Sequence, residues 1–588
     1  MGLDVQGFGF GDGLSFGSFG FHPPSGSVVD TESMIFDITT SSDTQTFQIS
    51  GEPSFNNYDV DWGDGASDSG VTDSDKAHVY AVAGLYTIKI TGSIYIRNNV
   101  TPYAAMYTEW KQWGTNTLIK STREWFSSCT NMSYTATDSP NLDFSGAVST
   151  YRSMYRMFYN CDNITALDLT AWDISATSGN IIQCFANLNK LETLDISGWD
   201  VSGATSANSM FELTGAATGV VITANNLNWT NGTTFSRTFY QTRTTSLILN
   251  NWTFKTGVSL GQMFRSLSYN SFIGQVELDL STWNISNVGS MASMFLNARG
   301  LKNINITNWD ISSITNLSGW FDTCTNIEKI IGLNTLRANS NVSLSQTFNN
   351  CYLLSFTTDN FHNDFAVNPT LTNTNLAFYS LGRNLAEADR GAFPNVTNWN
   401  MENVTVVNQM FRRGEFANGS IHTASWNLAS YSGSFYLFFY ECLGLSEIDW
   451  TNVTLRASAG VTDMSAFTGR GNTSNTYLTS VKFGANCNFQ DVGRWNFSFR
   501  NNINMTTLQF DSSVDFSSVT QMTDMLKSVP LDTQYYDALL VGLDATNNNN
   551  SVSLNANLCN YTLGSAAETS RTQLVTGQSW TITDAGGV

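Results

Sequence analysis

MFYNCDNITALDLTAWDIS, residues 157–175, is the stretch that decides the fold. It returns as CFANLNKLETLDISGWDVS at 184–202 and as MFLNARGLKNINITNWDIS at 294–312. In all three, Trp follows the motif Phe by fourteen residues. The same Phe place recurs at Phe126, Phe158, Phe185, Phe211, Phe239, Phe264, Phe295, Phe321, Phe348, Phe378, Phe411, Phe439 and Phe467, at intervals of 25 to 33 residues. A period in this range is the mark of a solenoid.

Each unit has two halves. SMYRMF (153–158) and SMASMF (290–295) space apolar residues by three and four, which predicts a short helix or helical turn. ALDLTAW (166–172) and TLDISGW (193–199) alternate strictly, which predicts one short strand with Leu and Ile on one face. Such a unit cannot bury its apolar face alone, so stacked units must share a continuous core. Thirteen to fifteen coils at a spacing of ~4.8 Å make a rod roughly 65 Å long. The units resemble BspA-type leucine-rich repeats, with their MFxxCxxLxxLDLSxWDxS pattern nearly intact at 157–175 and looser at 331–395 and 468–510. The resemblance implies an adhesin or interaction scaffold and brings no catalytic residue set. The fold expected is mainly β with short helices, a leucine-rich-repeat-like β-solenoid over 99–530.

A different pattern precedes the array. MIFDIT, TFQIS, YDVDWGDG, KAHVYAVAG and LYTIKITGSIYI alternate apolar and polar residues between turn clusters, so residues 31–98 read as a small β-sandwich. Val60-Asp61-Trp62-Gly63-Asp64-Gly65, His78-Val79-Tyr80 and Gly84-Leu85-Tyr86-Thr87-Ile88 resemble the PKD domain, an immunoglobulin-like module. That resemblance implies a spacer or adhesion module. Asp61, Asp64 and His78 have the look of a metal or catalytic cluster, but turn hydrogen bonds by the aspartates and packing by the histidine suit the pattern better.

Residues 1–30 are rich in Gly and Phe. Phe8, Phe10, Phe16, Phe19 and Phe21 cannot form a core alone, yet are a large apolar load to leave in water. They are the expected docking residues of an anchor segment. The segment lacks the basic and apolar regions of a signal peptide, and Gln6 stands where myristoylation needs Ser or Thr. Either a secreted protein has lost its leader or the protein reaches its place by assembly, and a start at Met favours assembly. At the other end, 531–588 breaks the period. DTQYYDALLVGLDA predicts a helix with Tyr536, Leu539 and Leu540 on one face, AAETSRTQLV a second helix, and SWTIT a last strand. This part reads as a C-terminal cap that closes the open sheet.

The conspicuous repeated residues have structural readings. Cys129, Cys161, Cys324, Cys351 and Cys442 each lie three residues after a motif Phe, and are expected as reduced core cysteines. No Cys-x-x-Cys pair offers a zinc site. Trp172-Asp173, Trp199-Asp200, Trp283-Asn284, Trp309-Asp310 and Trp399-Asn400 suggest either a sugar-binding ladder or, better, a Trp that covers the core edge and an Asp or Asn that closes a turn. Asp168, Asp195 and Asp279 point outward on neighbouring strands, where like charges repel. Either a shared Ca²⁺ or nearby Asn and Thr would relieve them, and Asn305 replaces the acid in one coil.

Net charge −20 leaves no basic footprint for nucleic acid, and no apolar run is long enough to insert in a membrane. Charged residues are only 13%, so Ser, Thr, Asn and Gly must build the surface. The four histidines, at 22, 78, 362 and 422, are isolated, and no hydrolase, metalloprotease or P-loop string occurs. No catalytic residue, metal site or cofactor is expected, and a polysaccharide-cleaving solenoid is the remaining enzymatic alternative. Two non-enzymatic settings compete. One is a virion fibre, spike or head decoration of a bacterial virus, docked on other virion proteins through its N-terminal segment. The other is a bacterial cell-surface adhesin. Either would meet a host-surface glycan or protein, and a homo-oligomer stays open. Attachment is expected from the Phe-rich start and from irregular coils such as 331–395.

Overall fold

The structure is a computed structural model, and it describes residues 29–98, 102–148, 150–269, 276–333, 336, 342–355, 371–394, 396, 399–421, 426–456, 460–471 and 474–588. The chain is mainly β, with two α-helices and a β-solenoid of about 17 turns. In the first ladder, Ala166–Asp168, Thr193–Asp195, Val220–Thr223 and Thr244–Ile248 pair in parallel. Its register stacks Leu167, Leu194, Ile222 and Leu247 in one row, all buried. Strict alternation thus does what a strand pattern requires: every second side chain enters the core.

The other half of each coil is not a helix. Two residues before and two after the motif Phe lie in the left-handed region, as at Arg156 and Asn160, Gln183 and Asn187, or Ser293 and Asn297. The amides of Arg156, Phe158 and Asn160 donate to Ile182, Cys184 and Ala186 of the next coil. Between them, Met157 and Tyr159 close single turns on Met154 and Arg156. A helix would spend every amide inside its own segment. This corner spends every second one on its neighbour, so the rod is hydrogen-bonded on this side as well. Apolar spacing of three and four is common to both geometries, which explains the difference from the expected helical turn.

The motif phenyls form a column. From Phe158 to Phe439, successive rings lie 4.9 to 6.0 Å apart and within 17° of parallel. The column breaks after Phe439. That amide donates to Phe467, and Thr468 donates to Ser498, so Thr468 and not Phe467 holds the motif place in this coil. Phe467 turns its ring 80° from that of Phe439.

The N-terminal part has two layers. Strands β1 (Met34–Thr40), β3 (Asn57–Asp61), β4 (Ser67–Val71) and β6 (Gly84–Ile94) share one antiparallel sheet, and β2 (Gln45–Ser50) pairs with β5 (Asp75–Tyr80) in the other. The first sheet continues past residue 98. Strand β7 (Tyr107–Gln112) adds antiparallel to β1, and β8 (Thr117–Ile119) adds parallel to β6. The aromatic core follows it: Phe36 stacks on Trp110 at 5.0 Å, and Trp110 meets the first motif residue, Phe126, at 4.7 Å.

At the far end the ladder also continues. Met522 bridges Leu554, and Ser553–Tyr561 pairs in parallel with Thr581–Gly587. These added strands lie beyond the thirteen to fifteen coils expected from the Phe spacing. Helices α1 (Thr533–Thr546) and α2 (Ala566–Gly577) flank them, with Tyr536, Leu539, Leu540 and Leu543 of α1 buried. Ser565 caps α2 by accepting from the Ala567 amide.

Candidate binding face

Most of the recurring residues are committed to holding coils together. The thiol of Cys161 donates to the Phe126 carbonyl at 2.9 Å, and Cys324 and Cys351 do the same to Phe295 and Phe321. Thr242 takes this place in another coil, donating to Phe211. The slot therefore selects a small donor rather than a redox pair, and all eight cysteines are buried free thiols. Burial pushes every one of these thiols upward, Cys487 and Cys559 to about 12.

The tryptophans act alike. The indoles of Trp199, Trp252 and Trp309 donate to Leu169, Ala224 and Leu280 of the preceding coil. Asp173, Asp200, Asn284, Asp310 and Asn400 each accept from the backbone two residues on, which closes the turn after the Trp. Asp168, Asp195 and Asp279 accept in the same way from Thr170, Ser197 and Ser281, and Asn305 from Thr307. Asp168 does face Asp195 across the ladder, as alternation requires, and Asp195 next faces Thr223. Among the described residues no group of three or more metal-ligating side chains comes together.

In the N-terminal module, His78 Nε2 lies 2.8 Å from Asp64 Oδ2, and its ring stacks on Trp62 at 4.9 Å. Burial works against the Asp64 carboxylate, but hydrogen bonds from His78 and the Ala66 amide outweigh it and hold the group below its ordinary value. Asp61 accepts from the Gly63 amide. The three residues do come together, as turn and packing groups. Phe8, Phe10, Phe16, Phe19 and Phe21 lie outside the described residues, as does part of 331–395.

What remains free to vary is the corner. One residue past the motif position, and two or three before it, side chains point out of the rod. Here arginines lie over tyrosines: Arg156 over Tyr159 at 4.7 Å, Arg237 over Tyr240 at 5.1 Å, and Arg412 over both Tyr379 and Tyr440 at 5.6 Å. In a chain of net charge −20, this is a cationic and aromatic stripe, interrupted by Glu212 and Asp322 at the same place in their coils.

The stripe opens into a cleft of about 680 Å³ where the phenyl column breaks. The cause is local sequence. The coil of Thr468 carries Ser465, Ala466 and Gly469 where the coil before carries Tyr436, Leu437 and Tyr440, and the coil after carries Asn496, Phe497 and Arg500. A trough of small side chains is left between two tall walls. Tyr436 and Phe497 keep 44% and 37% of their surface exposed, unusual for rings that cost free energy in water. Arg470, Arg494 and Arg500 line the cleft against one carboxylate, Asp463. None of these residues was singled out by sequence reading. The one usable signal was the loosened pattern at 468–510 together with three arginines in an acidic chain.

Fold and face together define a repeat protein, a β-solenoid whose invariant residues build the rod and whose corner varies. Within that class, the family model described as "Mycoplasma protein of unknown function, DUF285" matches residues 152–274, 266–388 and 386–444. The three matches overlap at their ends, run along the solenoid and stop at residue 444, inside the coil that forms the first wall of the cleft. No curated protein matches the chain.

Proposed function

We propose that this protein is a non-enzymatic attachment scaffold carried on the particle of a bacterial virus. The observation that carries the scaffold reading is the division of labour within each coil. Phe, Cys or Thr, and Trp are used to join neighbouring coils and Asp or Asn to close the turn within a coil, while the corner presents different residues from coil to coil. In this reading the N-terminal module is a PKD-like spacer, and Phe8, Phe10, Phe16, Phe19 and Phe21 dock on other virion proteins. The solenoid faces outward, towards a host-surface glycan or protein. His78, the one histidine among the described residues, is engaged by Asp64 and Trp62, which favours a role without catalysis.

The BspA-type likeness favours a second setting, a bacterial cell-surface adhesin. The two separate on fractionation of the source culture. Co-sedimentation with purified particles, lost on deletion of residues 1–25, is the expected result. Recovery with the cell envelope instead gives the adhesin. Release of reducing ends from capsular polysaccharide would overturn the non-enzymatic reading.

A further inference from the structure

The cleft combines open volume, part-exposed rings and a solvent-facing arginine. Elsewhere arginines lie over tyrosines, as Arg237 over Tyr240, and within the cleft Arg500 lies over Phe497 at 5.4 Å. In the cleft, Arg494 keeps 62% of its side chain exposed and reaches Asp463 only at 3.7 Å. Arg500 reaches Asp524 only at 3.9 Å, outside hydrogen-bond range. Arg470 donates one terminal nitrogen to the Ser474 carbonyl. The Nε atoms of Arg470 and Arg500, like that of Arg412 on the stripe outside the cleft, are buried and find no acceptor among the described residues. A buried donor left unmade is costly, and a guanidinium fork is best satisfied by a planar or tetrahedral oxyanion.

The walls add a second requirement. Tyr436 and Phe497 offer part-exposed rings, with Arg500 over one face of Phe497, and Ser465, Asn496 and Gln521 offer neutral hydrogen-bonding groups. The lining runs over four coils, about 14 Å at ~4.8 Å per coil. Ring faces, hydroxyl partners and an oxyanion site over that length match two or three linked sugar rings with an acid group. A nucleic acid, charged at every residue, fits poorly, because the charge of −20 on the whole chain repels it beyond the cleft.

We propose that this cleft binds an acidic sugar unit, carboxylated or sulfated, within a surface polysaccharide. The arginines take the acid group, and Tyr436 and Phe497 stack on the apolar faces of the rings. This deepens the attachment function proposed above and rests on it.

The test uses the full chain and three probes: a galacturonate trimer, a heparin-derived tetrasaccharide and neutral maltotriose. Calorimetry at low and high salt is expected to show binding of at least one acidic probe, weakened by salt, and none of maltotriose. The outcome also tells carboxylate from sulfate. Arg494→Gln and Arg500→Gln are each expected to weaken binding about tenfold or more, with an unchanged thermal midpoint. Arg237→Gln, on the same stripe outside the cleft, is expected to leave it unchanged. Equal binding of maltotriose, no binding of either acidic probe, or tighter binding of a single-stranded DNA hexamer would overturn the proposal. Cell attachment by the full chain is scored in parallel. Attachment that survives Arg494→Gln with Arg500→Gln sinks the cleft and spares the scaffold, whereas no attachment by the unaltered chain sinks the scaffold reading itself.

Discussion

Phe295 and Phe321 occupy the same place in neighbouring coils, with ring centroids 4.9 Å apart and planes 3° from parallel. Phe348 follows at 6.0 Å and 6°. Replacing the middle ring therefore opens a void between two others. Phe321→Ala should cost about 3–5 kcal/mol, and Phe321→Leu less. Because each coil touches only its neighbours, the loss should stay local. Hydrogen exchange read by mass spectrometry should quicken in the coils of Phe295, Phe321 and Phe348 and stay unchanged near Phe158. Uniform quickening along the rod would show the coils to be coupled over a longer range.

The column was legible because its physical demand is strict. A phenyl recurring at intervals of 25 to 33 residues leaves an unmistakable period, and in the units at 157–175, 184–202 and 294–312 so does a Trp fourteen residues later. The corner was less legible. Its left-handed residues include Asn160 and Asn297, which suit that region, but also Leu213 and Leu376, which do not announce it. Phe467 was misplaced by one position because the next coil's carbonyls, not the side-chain type, set the register. The cleft was hidden for a related reason. Ser465, Ala466 and Gly469 look like ordinary loop residues until they are aligned with Tyr436, Leu437 and Tyr440.

The thiols make a second prediction. All eight cysteines are buried and their thiols are pushed upward by burial. The thiolate is the reactive form, so the native protein should be silent to a thiol-specific disulfide reagent at pH 8. In denaturant, eight equivalents should titrate. Rapid reaction of the native chain would mean that a coil opens readily, and Cys487 is the first to suspect.

Acid should weaken the entry to the rod. Lys120 lies 2.5 Å from Asp143. That hydrogen bond, followed by those from Ser145, lowers the Asp143 carboxyl from 3.8 to about 2. The folded value lies below the unfolded one. Its contribution is therefore complete above 3.8 and disappears as pH falls through about 2. Asp143→Asn should be less stable than the parent at neutral pH, with the two thermal midpoints converging between pH 4 and pH 2. Parallel curves over that range would show that the Lys120 pair contributes nothing. Asp30 has the same sign: the Ser33 amide and then Lys89 lower it to about 2, so the pair between residue 30 and β6 should add to the same acid limb.

The last prediction concerns the C-terminal end. Arg571 of α2 holds Asp584 in two hydrogen bonds, of 2.6 and 3.1 Å, and Tyr536 of α1 donates to the same carboxylate at 3.1 Å. Asp584 is almost fully buried, with 3% of its side chain exposed. One carboxylate thus ties both helices to the final strand. Arg571→Ala would leave that charge buried with only a phenol for partner, at a cost of about 3–5 kcal/mol. Asp584→Asn with Arg571→Met removes both charges, and should recover part of the loss, because an unpaired buried ion is worse than none. Proteolysis reads the effect. Arg571→Ala should be cut first between 547 and 580, leaving the coils before residue 530 intact, since the terminal strands meet the array at one face only. Equal resistance of Arg571→Ala and the parent would mean that the apolar side of α1, through Leu539, Leu540 and Leu543, holds the end closed without the ion pair.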